Sequence, residues 1–432
     1  MIKNLTKLLI SNSYVRGCYR RIYGKIKGDI AAIQLPETSV PEATLISCRS
    51  SSIEGPRINL LVPALSIKHV FGGIATALDI FQAMTSGIAN VRIILTDESS
   101  FQFSDNPAFS DWQIGKLDDD DKSGRWIIPA GDRYNKTLCV SAGDRFVASA
   151  WWTAVTVRHI RTWQRNVFPT LSSNRYVYLI QDYEPGFYPW SSRYALAQST
   201  YLETEGMIAL FNTSILRNFF IDEGYKFEHE YAFEPHINIK LAGFLNQVTP
   251  DIKEKRILVY GRPGVARNAF ELLVMGLREW VEKDPKAKDW TIVSVGEPHS
   301  NVDLGKGLQM QSFGKLSLES YAQELLRSSI GLSLMISPHP SYPPLEMAAF
   351  GLNVITNGYK AKNLSQVHSG ITSLINMSPL SISDALIRLT GNDIAKNSVA
   401  ITTSNFWAEY ISKDAGYSDL GSQVLELMSL KH

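Results

Sequence analysis

Two tandem Rossmann-like α/β domains facing across a cleft are the fold that this 432-residue chain predicts. Length is the first reason, because one ordinary domain rarely exceeds about 250–300 residues. The second is a series of short apolar runs with strand character, separated by helical patterns, which is how a parallel sheet covered on both faces reads. The third is the polar stretch Asn246–Lys255, which divides those runs into two series. No sequence repeat relates the two halves.

Residues 1–27 are basic, with Lys3, Lys7, Arg16, Arg20, Arg21, Lys25 and Lys27 interleaved with leucines and tyrosines. They predict an amphipathic helix, lying either on anionic lipid or on the protein itself with a solvated basic face. Pro36, Pro41, Pro56 and Ser50–Ser52 mark residues 36–56 as a linker, so 1–56 precedes the first domain. The first domain, 57–245, carries strands at Arg57–Val62, Val91–Thr96, Arg145–Ala150, Tyr176–Ile180 and Met207–Phe211. The second, 246–403, carries them at Arg256–Tyr260, Trp290–Val295, Ile330–Ile336 and Val354–Thr356. Ser404–Leu430 reads as helix with an aromatic start at Phe406, Trp407 and Tyr410.

Composition narrows the function. With 43 Lys and Arg against 42 Asp and Glu, the net charge of +1 gives no global pull on nucleic acid or an anionic bilayer. Cys18, Cys48 and Cys139 form neither a disulfide framework nor a zinc pattern, and a reducing cytoplasm is expected. No stretch approaches the roughly 20 apolar residues of a membrane span, and Leu8–Ile10 is too short for a signal peptide core.

Ligands of doubly wound sheets bind at the carboxyl ends of strands, and the polar residues cluster there. Arg262 and Arg267 lie between strand Arg256–Tyr260 and the next helix, where forked guanidinium groups can hold a diphosphate. Lys315 occupies the analogous loop after a further short strand. In SIGLSLMISPHPSYPPLEMAAFG an apolar strand runs into a Ser/Pro loop, and Glu346 opens a helix behind it. A carboxylate there suits sugar hydroxyls. Pro343 and Pro344 lack amide protons, leaving the amides of Ser341 and Tyr342 to face phosphate. In the first half, Gly72 and Gly73 follow the first strand and permit close backbone approach to a ligand. Asp182 and Glu184, in QDYEPGFYPW, follow strand Tyr176–Ile180. One of them is expected to contact the acceptor hydroxyl or the transferred sugar, with Phe187, Tyr188 and Trp190 stacking on sugar faces. Trp151 and Trp152 fit either that cleft or the core. The run Asp118–Asp121 reads as a solvated loop, and His229 and His236 read as structural.

These residues resemble the nucleotide-binding half of the retaining GT-B glycosyltransferases of family 4. Such enzymes carry a glycine-arginine pair, a lysine five residues on, and two glutamates separated by seven residues. Gly261-Arg262 matches, Arg267 stands at the lysine, Glu346 matches the second glutamate, and the first falls on Pro338. That loss points away from an ordinary hexose towards a deoxysugar or a differently built sugar pocket. The segments HVFGGIATAL, AWWTA, QDYEPGFYPWSSRY, VYGRP, GKGL and ISPHPSYPPLEMAAFG are similar to the WsaF-type rhamnosyltransferases of bacterial polysaccharide and S-layer glycan synthesis.

The resemblance implies a GT-B fold, a dTDP-β-L-rhamnose donor and a glycan acceptor, free or lipid-linked. It also implies retention of configuration. No DxD motif sits at a strand end and the cationic loops can take a metal's electrostatic part, so no metal or other cofactor is expected. Residues 1–27 leave open a contact of this cytoplasmic chain with the inner face of the membrane. Arg262 and Lys315 would hold the diphosphate and Glu346 the deoxyribose, whose missing 2′-hydroxyl leaves it one ring hydroxyl. The 404–432 helix would cross back onto the first domain. Alternatives are transfer of another nucleotide-linked deoxysugar, a sugar-nucleotide epimerase acting on the donor alone, and a non-catalytic scaffold of a polysaccharide assembly complex.

Overall fold

The computed structural model describes residues 40–66, 73–169, 174–249, 253–391, 404–412 and 417–428. The basic segment 1–27 and Gly72 lie outside these residues. The chain divides into two units, residues 1–45 and 46–432, and both large sheets belong to the second.

The first half carries β1 (Ser47–Ser50), β2 (Arg57–Val62), α1 (Gly73–Met84), β3 (Val91–Leu95), β4 (Gln113–Ile114), β5 (Arg125–Pro129), β6 (Thr137–Val140) and β7 (Asp144–Ala148). It continues through α2 (Trp151–Val167), β8 (Tyr176–Ile180), α3 (Ser192–Leu202), β9 (Met207–Asn212), α4 (Ser214–Asp222) and β10 (His229–Phe233). Eight of these strands form one all-parallel sheet in the order β10-β9-β8-β7-β2-β3-β5-β4. Every residue of β2, β3, β7, β8 and β9 is buried, as strands covered on both faces must be. β1 pairs in parallel with β6 as a separate two-stranded sheet, so the expected linker 36–56 contains a strand.

The second half carries β11 (Glu254–Gly261), α5 (Phe270–Lys283), β12 (Thr291–Gly296), β13 (Val302–Gly305), β14 (Leu308–Gly314), α6 (Leu318–Arg327) and β15 (Ser328–Leu332). α7 (Tyr342–Ala349), β16 (Asn353–Asn357), β17 (Ile371–Leu374) and α8 (Pro379–Gly391) complete it. The sheet order is β13-β14-β12-β11-β15-β16-β17, parallel except for the β13–β14 hairpin.

In each sheet the chain winds outward one way and then restarts beside its first strand. The reversal falls between β2 and β7 in one sheet and between β11 and β15 in the other. Such switch points leave a crevice above the strand carboxyl ends.

The segment expected to be one C-terminal helix forms two. α9 (Asn405–Tyr410) buries Phe406, Trp407 and Tyr410 in the second half's core. α10 (Tyr417–Met428) buries Val424 and Met428 in the first half's core, against α1. Gly421 makes that crossing close, since a Cβ there would sit 3.0 Å from the backbone nitrogen of Met84.

Asp118, Asp119 and Asp120 are exposed, as a solvated loop requires, but Asp121 departs from that reading. It pairs with Arg57 at 2.6 Å. Arg57, 2% exposed, also grips the fully buried Asp144 through two bonds of 2.6 and 2.8 Å. Asn59 and the backbone N–H of Ser141 complete the Asp144 shell. A buried carboxylate persists only when paired and hydrogen-bonded in this way.

Candidate active site

The β11–β15 switch point gathers the polar residues of the second half. Arg262 follows β11 and donates from Nε to Glu297 Oε1 at 3.2 Å, and Glu297 Oε2 accepts the Gly264 N–H at 2.8 Å. Arg262 keeps a third of its side chain open to solvent. The loop then folds back on the β15 loop: Arg267 C=O accepts from Ile336 N at 2.7 Å, and Asn268 Nδ2 donates to Leu334 C=O at 3.0 Å. Ala269, at φ 48°, makes the left-handed turn into α5.

α7 starts at Tyr342, four residues before Glu346, rather than at Glu346. Pro343 and Pro344 fall in its first turn, where a missing N–H costs nothing. Glu346 therefore sits one turn in, half-buried, and accepts from Tyr321 Oη of α6 at 3.1 Å. Burial raises its carboxyl to about 7, against the opposing pull of the Tyr321 hydroxyl. Tyr260 lies close enough to both Arg262 and Glu346 to feel their charges.

Lys315 is exposed at the carboxyl end of β14, two strands from β11. The amide of Ser341, expected to face phosphate, is engaged within the loop instead. It is given to Nδ1 of His339 at 3.0 Å, because Ser341 turns through φ 71°.

Across the cleft, Asp182 follows β8 and is nearly buried. Its Oδ1 accepts the Tyr183 N–H at 2.8 Å and the Ser337 hydroxyl of the β15 loop. Its Oδ2 pairs with Arg267 Nη1 at 3.6 Å. The Arg267 guanidinium also stacks on Phe187, 3.9 Å from the ring centroid. Arg267 and Ser337 thus join the two halves through one carboxylate. Burial lowers the Arg267 pKa, and the charge of Asp182 opposes that shift.

Glu184 does not join this group. It is buried beneath the sheet end, accepting from Tyr178 Oη at 2.6 Å and Tyr201 Oη at 3.2 Å, and burial raises it to about 7. Trp151 is core, whereas Trp152 Nε1 fixes Thr96 and Asp97 at the end of β3. Gly73 opens α1 directly over Gln181, whose Oε1 would lie 1.7 Å from any Cβ placed there.

A cavity of about 370 Å³ lies at the opposite, amino ends of β2 and β3, lined by Arg57, Arg92 and Asp118–Asp121. It is remote from these groups. Among the described residues no cluster of His, Cys, Asp or Glu is placed to hold a metal ion, and no helix is long and apolar enough to cross a membrane.

Residues 57–214 match the model of the WsaF N-terminal domain, and 255–387 that of the WsaF C-terminal domain. The chain belongs to the WsaF family. It is also 31% identical over 217 residues to the O-antigen biosynthesis protein RfbC of Myxococcus xanthus, covering 50% of this chain and 16% of that protein. The chain thus matches about a sixth of the length of that curated relative. Solved structures with the same two-domain arrangement include TarM (TM-score 0.54, 8% identity, 87% of this chain and 99% of that one). Another is an α,α-trehalose-phosphate synthase (UDP-forming) from Burkholderia xenovorans (TM-score 0.52, 9% identity, 87% and 100%). The fold is GT-B.

Within the WsaF domains four partners of the site were not expected from the sequence. Tyr321 and Glu297 hold Glu346 and Arg262, while Ser337 and His339 order the β15 loop. Ser337 and His339 were legible as polar residues between an apolar strand and a helix. Lys362 is buried with Nζ on Met335 C=O at 2.6 Å, and no local pattern marks it.

Proposed function

We propose that this protein is a glycosyltransferase of bacterial surface-polysaccharide synthesis that moves L-rhamnose from dTDP-β-L-rhamnose to a glycan acceptor, with retention and without a metal ion. The observation that carries the reading is the convergence of Arg262, Arg267 and Glu346 on one switch point in a chain of the WsaF family. The name of the Myxococcus xanthus relative supports the pathway class, and the rhamnosyl donor rests on the resemblance of the sequence motifs.

In this reading Arg262 and Lys315 hold the diphosphate, and Arg267 stands beside them at the domain junction. Their charge stabilises the negative charge that builds on the leaving dTDP as the bond from the anomeric carbon to phosphate oxygen breaks. Glu346 accepts from the one free hydroxyl of the deoxyribose. Asp182, at the carboxyl end of β8, meets the sugar or acceptor from the other side of the cleft. The acceptor oxygen bonds to the anomeric carbon on the face that the phosphate leaves, and its proton passes to the departing phosphate oxygen. No enzymatic nucleophile is needed.

Thermal unfolding with dTDP, UDP and GDP side by side, without and with magnesium, tests the reading, because a ligand of the folded state raises Tm by an amount set by its concentration over its Kd. A shift with dTDP, lost in Arg262→Ala and Glu346→Ala, is expected, followed by rhamnosyl transfer to acceptor. A shift with UDP or GDP instead would discard the donor. No shift with any of them would favour the scaffold.

A further inference from the structure

We infer that His339 reads a hydroxyl of the transferred sugar, donating a hydrogen bond from Nε2 while Asp182 accepts from the same hydroxyl. This rests on the nucleotide-sugar reading above.

His339 lies in the loop that leaves β15, 6% exposed. Its Nδ1 accepts from Ser341 N at 3.0 Å, so Nδ1 carries no proton in the neutral ring and Nε2 must be an N–H donor. Burial holds the ring neutral, moving its pKa down to about 4. Nε2 has no hydrogen-bond partner. A buried donor left unmade is costly and uncommon, and each such group needs a reason.

Slack in the loop is not that reason, because the surrounding groups are held. Ser337 Oγ donates to Asp182 and accepts from the backbone N–H of His339 at 3.0 Å. Ile336 N is held by Arg267 C=O. The backbone of His339 is therefore tied through Ser337 Oγ to the Asp182 carboxylate, while its ring Nε2 is left over.

The groups near the ring select the ligand. Asp182, Arg267 and Lys362 are the charges that act on His339. Arg267 is paired with Asp182 and Lys362 donates to Met335 C=O, so a phosphate oxygen there would find both cations engaged, a carboxylate beside it and a neutral imidazole that offers no charge. A hydroxyl fits both groups, since it accepts from the Nε2–H and donates to the carboxylate. The adjacent Pro338 brings no polar side chain, which leaves this reading to His339.

Calorimetric titration of dTDP and of dTDP-β-L-rhamnose into wild type, His339→Ala and His339→Gln separates the contributions. We expect His339→Ala to weaken dTDP-β-L-rhamnose about five- to tenfold, with dTDP itself unchanged. His339→Gln, which retains an N–H donor, should recover part of the loss. Equal losses for both ligands would assign His339 to the phosphate or to the fold and overturn the inference, as would an unchanged ratio. A wild-type protein that binds neither ligand would remove the donor reading itself, and the role of His339 with it. Nitrogen-15 histidine spectra of the wild type give a check free of mutation: a proton on Nδ1 would refute the assigned tautomer.

Discussion

Replacing Tyr321 by Phe removes one hydroxyl and should move the pH dependence of nucleotide binding. The Tyr321 O–H donates to Glu346 at 3.1 Å and so favours the charged carboxylate, while burial favours the neutral acid and wins, leaving Glu346 near 7. A hydrogen bond to a charged group contributes about 1.5–3 kcal/mol, or roughly 1–2 pKa units. Glu346 is only half-buried, so solvent screening brings the expected rise in Tyr321→Phe to about one unit. If the carboxylate accepts from the deoxyribose, dTDP affinity in the wild type should fall as pH drops through 7. In Tyr321→Phe that fall should begin about one unit higher. Titrations from pH 5.5 to 9 would measure both curves. The terminal phosphate of dTDP titrates in the same region, and Glu346→Gln separates the two, because that variant keeps the phosphate and loses the carboxylate. Identical pH curves for wild type and Glu346→Gln would refute the role of the carboxylate. Identical curves for wild type and Tyr321→Phe would refute its coupling to Tyr321.

Glu184 offers a stability test of opposite chemical sense. Its folded pKa, near 7, lies above the unfolded 4.5, so the folded state holds the extra proton and stability declines as pH rises from 4.5 to 7. Glu184→Gln, which keeps an oxygen for Tyr178 and Tyr201, should therefore raise Tm at pH 8 by a few degrees and lose that gain towards pH 4.5. Asp144→Ala takes the buried counter-ion from Arg92 and leaves Arg57 with Asp121 alone, and chemical denaturation should register a loss of about 3–5 kcal/mol. Gly73→Ala drives a Cβ into Gln181 Oε1 and should cost about 1–3 kcal/mol, most of it restored by Gln181→Ala in the same chain. A double variant no more stable than Gly73→Ala would place the strain in the backbone.

The sequence by itself determined the two sheets. RINLLV, YVYLI, MIALF and RILVY became strands because four or five apolar residues, β-branched and aromatic ones among them, bury on both faces inside a parallel sheet. The same local logic put Arg262, Glu346 and Asp182 at strand carboxyl ends, since chain direction fixes which end of a strand a following loop occupies. It failed at β4, β5, β6, β10, β13 and β17, each five residues or fewer, and at β1, whose half-exposed SCRS carries no apolar pattern.

Tertiary structure decided the rest, because pairing across sequence distance leaves no local trace. Asp121 belongs to Arg57, 64 positions away, and Asp182 to Ser337, 155 positions away. Glu184 and Asp182 are two residues apart and looked equivalent. The turn after β8 sends one towards Tyr178 and Tyr201 beneath the sheet and the other across the cleft to Arg267. The Ser341 amide, free by sequence, is bound by His339 because a left-handed residue precedes α7. Residue types and chain direction set what chemistry each loop could carry. Which groups meet, and which donor is left without a partner, was fixed only when the two sheets closed on each other.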